Sequence, residues 1–376
     1  MRNKGSHKFA RSLTLLTILA ANCIPQVSIA DGRDAEPRAR SNGLVRVSVL
    51  GLFHPKEFVI TAPSGHALVL EAGKQNLVLE SSEISSASIR IEGSALVITS
   101  QKQELRAANL MVAGRGGVSE DLMLAIPGKI ERRYHGTLVV QPSPGNLLAV
   151  VTLDLETAVA SVVAAESAPG TPLEALKANA IAARSYFVAG RGRHKGFDFC
   201  DTTHCQFLRT PPPPTSFAAQ AVEATQGLVL TYQSQPFAAM YTRSCGGRTR
   251  TPAQLGLPSA DYPYFPVSCE RCREHPLRWT SYIAVAEAGS LRSSDENTRL
   301  AVAQRLGWGA VPSNEFSIVR KGDHLLLAGV GNGHGIGLCQ AGAKAMAESG
   351  ASFHEILRHY YPNANIAEYS ARNSLN

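Results

Sequence analysis

Glu166 stands where an acid is out of place. In "LDLETAVASVVAAESAPG" (153–170), Leu155, Val159, Val162 and Val163 recur at i, i+4, i+7 and i+8, the apolar face of a helix. Glu166 falls at i+11 on the same face, just before the break at Pro169-Gly170, and acids are seldom set on a buried face. Burial against apolar side chains disfavours the charged carboxylate, so its pKa rises and it can hold a proton near neutral pH. That suits a general acid protonating a glycosidic oxygen. The alternative is a structural ion pair with Lys177 or Arg184 on the next helix.

A second cluster lies in "RHKGFDFCDTTHCQF" (193–207), where His194, Cys200, His204 and Cys205 put four donors within twelve residues. Two histidines and two cysteines match tetrahedral zinc, although the order H-x5-C-x3-H-C is not that of a zinc finger. Four protein donors leave no open position, which favours a structural ion over a catalytic one. A Cys200–Cys205 disulfide is the other reading, open to an exported protein. Cys245 in "SCGG", Cys269 and Cys272 in "CERC", and Cys339 form either disulfides or a further metal site, and spacing does not decide between them.

The stretch "GNGHGIGLCQAGA" (331–343) places five glycines about His334. Such density marks backbone that turns sharply or comes close to something else. "YTRSCGGRT" (241–249) is a second polar turn with paired glycines. Two such loops can bring N–H groups and hydroxyls against a bulky polar ligand such as a sugar. His334 reads as a general base, a substrate donor or a loop histidine capping the helix that follows. There is no Walker, Rossmann or serine-hydrolase signature, so a phosphate-cradle reading fails.

These residues need a scaffold, and the chain supplies one. With 376 residues, 44% hydrophobic and 18% charged, it has the profile of a folded globular protein. Residues 1–30 have the layout of a secretory signal: Arg2, Lys4, Lys8 and Arg11, a short apolar run, then small residues up to Ala30. Its apolar core is too short for a membrane span. Cys23 hints at a lipid-attachment site, but Asn22 is a poor residue to precede one. Removing this segment lowers the formal charge from +7 to +3, and a nucleic-acid partner loses its support. An exported protein of the periplasm or cell envelope remains, with no transmembrane span after signal cleavage.

Residues 31–43 read as a charged linker. Residues 44–152 carry short β-branched runs, among them "LVRVSVLGL", "EFVITAP", "ALVLEAG", "NLVLESS", "SIRIEG", "ALVITS" and "TLVVQPS". From Leu153 the periodicity turns helical. Thr171 is the expected N-cap of the second helix, with Pro172 as its first residue and Glu174 as capping-box partner. The chain ends in one expected helical segment, "KAMAESGASFHEILRHYYP", before a short tail at 368–376. The fold class is α+β, a β-rich N-terminal half packed with a mixed α/β core at 153–367.

Three motifs in this order resemble the SpoIID/LytB family of sporulation and cell-wall proteins. They are the Glu166 helix followed by "PLEALKANAIAARSYFVAG", then "YTRSCGGRT", then "GHGIGLCQAGAKAMAESGASFHEILRHYYPNANI". The resemblance spans about residues 44–367 and implies a SpoIID-type fold. It implies a peptidoglycan lytic transglycosylase, a lyase, acting on glycan strands that an N-acetylmuramoyl-L-alanine amidase has stripped of peptides. Other members imply an alternative, a non-catalytic peptidoglycan-binding protein or amidase activator. Carried over, the catalytic glutamate is Glu166 and the zinc ligands are His194, Cys200, His204 and Cys205. The substrate contacts are Arg184, Tyr241, Ser244, Gly246, Gly247, His334, Gly335, Gly337 and Gln340. In the implied mechanism Glu166 protonates the oxygen linking N-acetylmuramic acid to N-acetylglucosamine. As carboxylate it then takes the proton of the C6 hydroxyl, which closes on C1 to a 1,6-anhydro end, with no second carboxylate as nucleophile. Two departures stand out: Cys339 where serine is common, and the proline run (211–214) with the "CERC" segment.

Overall fold

Alternating β-branched runs pair along the N-terminal half of the chain in the computed structural model, which describes residues 43–80, 85–101, 103–192, 194–258 and 260–369. The expected signal, Cys23, nearly all of the linker and residues 370–376 lie outside the described residues. The strands β1 (Leu44–Val49), β2 (Glu57–Thr61), β3 (Ala67–Ala72), β4 (Gln75–Glu80), β5 (Ser86–Glu92) and β6 (Ala95–Thr99) coincide with runs read from the sequence. β7 (Glu104–Ala107), β8 (Leu110–Ala113), β9 (Glu120–Ile126), β10 (Ile130–Ser143) and β11 (Asn146–Asp154) complete the region. Val45, Val47 and Val49 all face the core, as period-two alternation requires.

β10 joins the two halves of one 12-stranded sheet. Its first half, Ile130–Gly136, pairs with β9, which continues through β2, β5 and β6 to β7. Its second half pairs with β11 on one side and β8 on the other, extending to β1 and to β3 and β4. The change of partner falls at Gly136, where a Cβ would run into the Thr152 carbonyl. Leu68, Leu70, Ile89, Ile98, Leu122 and Leu124 lie in one buried core with inward residues of β1 and β11.

Asp154 ends β11 and caps α1 (Leu155–Glu166), its carboxylate accepting from the N–H groups of Glu156 and Thr157. Leu155, Val159, Val162 and Val163 are buried on the face the sequence predicted. α2 (Leu173–Ala189) is buried on two faces. Leu176, Ala180, Ala183 and Phe187 join the β-rich core, and Ala175, Ala178, Ile181 and Ala182 join a second one. Small residues all round let neighbours approach from both sides, which accounts for its alanine content. Its start differs from the expectation: Pro172 is the N-cap, and the Thr171 hydroxyl donates to the Ala168 carbonyl instead of capping. Glu174 accepts from Lys177 and from the N–H of Phe353.

The second core is built on α2 by β13 (Leu228–Tyr232), β15 (Tyr241–Thr242), β19 (Leu338–Cys339), α7 (Gln340–Glu348), α8 (Phe353–Tyr360) and β20 (Asn365–Glu368), the last pairing antiparallel with β13. The final helical segment is thus two helices, not one. Gly350 takes a left-handed φ of 91°, and Ser352 opens α8 with a capping box closed by Glu355. A third, smaller core holds a three-stranded sheet, β16 (Arg278–Ala284), β18 (His324–Val330) and β17 (Glu315–Lys321), under α6 (Glu296–Leu306). No helix among the described residues is long and apolar enough to cross a membrane.

Candidate active site

Glu166 is the last residue of α1, where the apolar stripe meets open space. Its Oε1 accepts the Phe207 N–H at 2.6 Å, and the Tyr241 hydroxyl lies near enough to favour its ionised form. Burial pushes its pKa up to about 7, against the opposing pull of the Phe207 N–H, the Tyr241 hydroxyl and the Arg209 charge. The structural ion pair fails to form. Lys177 pairs with Glu174 at 2.7 Å, and Arg184 forms a two-pronged pair with Glu156 at 2.6 and 2.8 Å. Near pH 7 the carboxyl is therefore shared between its acid and base forms.

Tyr241 has one hydroxyl proton and two acceptors. It donates to Gln206 Oε1 at 2.8 Å, and it also reaches the Glu166 carboxylate. When Glu166 holds its own proton, the tyrosine can turn to Gln206; when Glu166 ionises, the tyrosine can turn back.

The partners of Glu166 come from the loop at 194–209, and the β-rich half fixes that loop. β12 (Phe199–Cys200) adds to the edge of β1 in parallel. Asp198 accepts the Arg46 N–H, while buried Asp201 accepts from Leu50 N–H, Arg132 and the Tyr134 hydroxyl. At its turn the loop gathers His194, Cys200, His204 and Cys205, whose donor atoms all lie within 4.8 Å of one another. His194 Nε2 is 3.2 Å from Cys205 Sγ, and His204 Nδ1 is 3.7 and 3.6 Å from the sulfurs of Cys200 and Cys205. Cys200 and Cys205 do not form a disulfide. The two-nitrogen, two-sulfur set has the size and chemistry to hold a tetrahedral zinc-type ion.

The two glycine-bearing loops lie side by side. Tyr241 and Thr242 pair in parallel with Leu338 and Cys339, and Ser244 bridges Asn332. Gly337 makes the approach feasible, since its φ is 70° and a Cβ would fall on the Met240 carbonyl. His334 Nδ1 accepts the N–H of Ile336 at 3.0 Å, which leaves the proton of the neutral ring on Nε2. Beside Glu166 open two clefts. The wider, about 480 Å³, is lined by Tyr241, His334, Asn332, Glu296, Arg299 and Trp308 among others. The narrower, about 280 Å³, is lined by Asn179, Arg271, Ala343 and Lys344 among others. Glu166, Arg243 and Gln340 line both, so the carboxyl sits where the two meet.

Of the residues expected to contact substrate, Gln340 lies at this junction and Tyr241 and His334 line the wider cleft, and the rest are placed elsewhere. Arg184 is fully buried, held by Glu156 and the carbonyls of Leu228 and Val222. Ser244 is buried with its hydroxyl 3.4 Å from Cys272 Sγ. Gly246 packs against Val330 and Glu315, Gly247 against Arg273, and Gly335 against Arg250, while Gly337 abuts Met240. These glycines shape the loops and do not face the clefts. Sequence reading missed Gln206, Arg209, Arg243, Trp308 and Asn179. Asn179 left a trace, being the polar residue between Ala178 and Ala180 on a face that must pack. Glu296, the other acid lining the wider cleft, is held ionised by the doubly bonded Arg299 guanidinium at 2.7 Å.

Residues 143–232, from the end of β10 to the end of β13, match the family model SpoIID, stage II sporulation protein. That span contains Glu166 and the four donors at 194–205 but not the two glycine loops. An uncharacterized protein of Brachyspira hyodysenteriae is 27% identical over 277 residues, covering 64% of this chain and 74% of that one. Stage II sporulation protein D of Bacillus amyloliquefaciens is 29% identical over 265 residues, 58% of this chain and 76% of its own. An amidase enhancer of Bacillus subtilis is 24% identical over 278 residues, 52% of this chain but only 38% of its own. The matched span and the sporulation relatives support membership of the SpoIID family.

Proposed function

We propose that this protein is an exported peptidoglycan lytic transglycosylase that cuts the bond between N-acetylmuramic acid and N-acetylglucosamine. The observation that carries the reading is Glu166, a carboxyl able to hold its proton near pH 7, at the junction of two clefts. A polysaccharide crossing that junction has a sugar on either side of the acid, as cleavage within a strand requires. Asn179 leaves both side-chain amide atoms, and Gln340 its Nε2, without a partner among the described residues. Unmet buried amides cost about 1–3 kcal/mol each, and an acetamido group offers the donor and acceptor that would satisfy them. Trp308 supplies an apolar face for a sugar ring in the wider cleft.

In the reaction, protonated Glu166 gives its proton to the bridging oxygen as the bond to C1 breaks. The resulting carboxylate then takes the proton of the C6 hydroxyl, whose oxygen bonds to C1. The Phe207 N–H and the Tyr241 hydroxyl stabilise this ionised form. Glu296 is committed to Arg299 and Asn314, so it is poorly placed to act as a nucleophile. Zinc held by His194, Cys200, His204 and Cys205 would fasten the loop that presents Phe207 and Gln206; with four protein ligands it supplies structure and takes no part in the steps.

The likeness to an amidase enhancer favours a second reading, a peptidoglycan-binding partner of an N-acetylmuramoyl-L-alanine amidase on the same fold. Mass spectrometry of peptide-stripped strands incubated with the purified mature protein separates the two. Transglycosylation gives new ends lighter by one water than hydrolysis would, and reducing ends would mean a hydrolase. Intact strands with binding retained would support the amidase partner.

A further inference from the structure

We propose that Cys245, Cys269, Cys272 and Cys339 form a second metal site, holding one tetrahedral zinc-type ion behind the wall of the cleft. The four come from three separate parts of the chain: just after β15, the "CERC" turn, whose Cys269 caps α4 (Glu270–Glu274), and the end of β19. None lies in the span matched to the family. All four are buried, and their sulfurs lie within 4.8 Å of one another, with Cys272 and Cys339 at 3.5 Å. Four thiolates about 2.3 Å from one zinc stand about 3.8 Å apart at tetrahedral angles. Disulfides would instead draw the sulfurs into two pairs at about 2.05 Å. A 4Fe–4S cluster would spread them, because each thiolate then binds a different iron, and a 2Fe–2S cluster would divide them into two pairs on separate irons.

The surroundings fit a thiolate site. The Cys245 N–H donates to Cys339 Sγ at 3.4 Å, the Tyr360 hydroxyl donates to Cys269 Sγ at 3.5 Å, and the Ser244 hydroxyl is 3.4 Å from Cys272 Sγ. Such donors offset charge on metal-bound sulfur and orient the ligands. Gly342 of α7 leaves room at the site, since a Cβ there would come within 2.6 Å of Cys269 Sγ. The placement gives the ion a purpose. Arg243 is two residues before Cys245, Arg271 lies between Cys269 and Cys272, and Gln340 follows Cys339; all three line the clefts. One ion would therefore tie together three cleft-lining segments that already meet through the short pairing of β15 with β19, the Arg248–Ser268 bridge and a shared core.

The test is metal analysis and zinc-edge X-ray absorption on the intact protein, purified without chelators and with zinc supplied. Two zinc ions per chain are expected, with an average of about three sulfurs and one nitrogen per ion, the mean of a four-sulfur and a two-sulfur site. Cys245→Ser should lose one ion and keep the other. The wild-type spectrum stands even where that variant fails to fold. One zinc per chain with about two sulfurs each, or disulfides among these four cysteines on denaturation with chelator, overturns the proposal.

Discussion

Glu166→Gln is expected to lower the rate of strand cleavage by about 10³-fold or more while strand binding stays within about threefold. Glutamine keeps the shape of the side chain, and its carbonyl can still accept the Phe207 N–H, but it has no proton to give and cannot take one back. A residue used as acid and then as base loses both steps at once. The same substitution should make the protein more stable above neutral pH. A carboxyl raised from 4.5 to about 7 on folding costs nothing below its unfolded pKa. Its cost grows as pH passes 4.5 and levels off above about 7, at up to about 3 kcal/mol. Melting temperatures of the two proteins should therefore coincide near pH 4 and diverge near pH 8, with the variant higher. Equal melting temperatures at both pH values would mean that Glu166 is ionised comfortably in the wild type.

Loss of the proposed ion at His194, Cys200, His204 and Cys205 has the second largest expected effect. Cys205→Ser, or stripping with a chelator, frees the turn that carries Gln206 and Phe207. The Phe207 N–H and the Gln206–Tyr241 bond then leave Glu166 together. Cleavage should fall by about 10²-fold, the upper end for groups that orient a site without reacting. In Cys205→Ser bound zinc should fall by one ion per chain, and returning zinc to chelated wild type should restore the rate. Full activity with that ion gone would show that Asp198, Asp201 and the pairing of β12 with β1 suffice to hold the loop.

The parts of this site that could be read from sequence are those with a local signature. Glu166 was visible because helical period three-point-six put it on a stripe of valines, and α1 buries that stripe. The donor cluster at 194–205 was visible because its ligands sit on one loop. Tertiary contact hid the rest. At 171–174 the local rule pointed to a capping box, yet Pro172 became the cap because Glu174 is used to receive Phe353 N–H from a helix 179 residues further on. Arg184 looked like a cleft residue, but its partner Glu156 lies one and a half helices back, and burial between α1 and β13 settles the matter. β7 and β8 have four residues each, too few to show a period, whereas β9 alternates openly at Leu122, Leu124 and Ile126. Trp308, Glu296 and Arg299 reach the cleft only because the small third core is set beside the glycine loops.

The most direct single measurement is the rate of strand cleavage by the wild-type protein as a function of pH. If Glu166 donates the proton from its half-buried position, log kcat/KM falls with a slope of about one as pH rises above about 7. A rate that stays level to about pH 9 would contradict it, because the acid form of Glu166 would by then be about a hundredfold depleted.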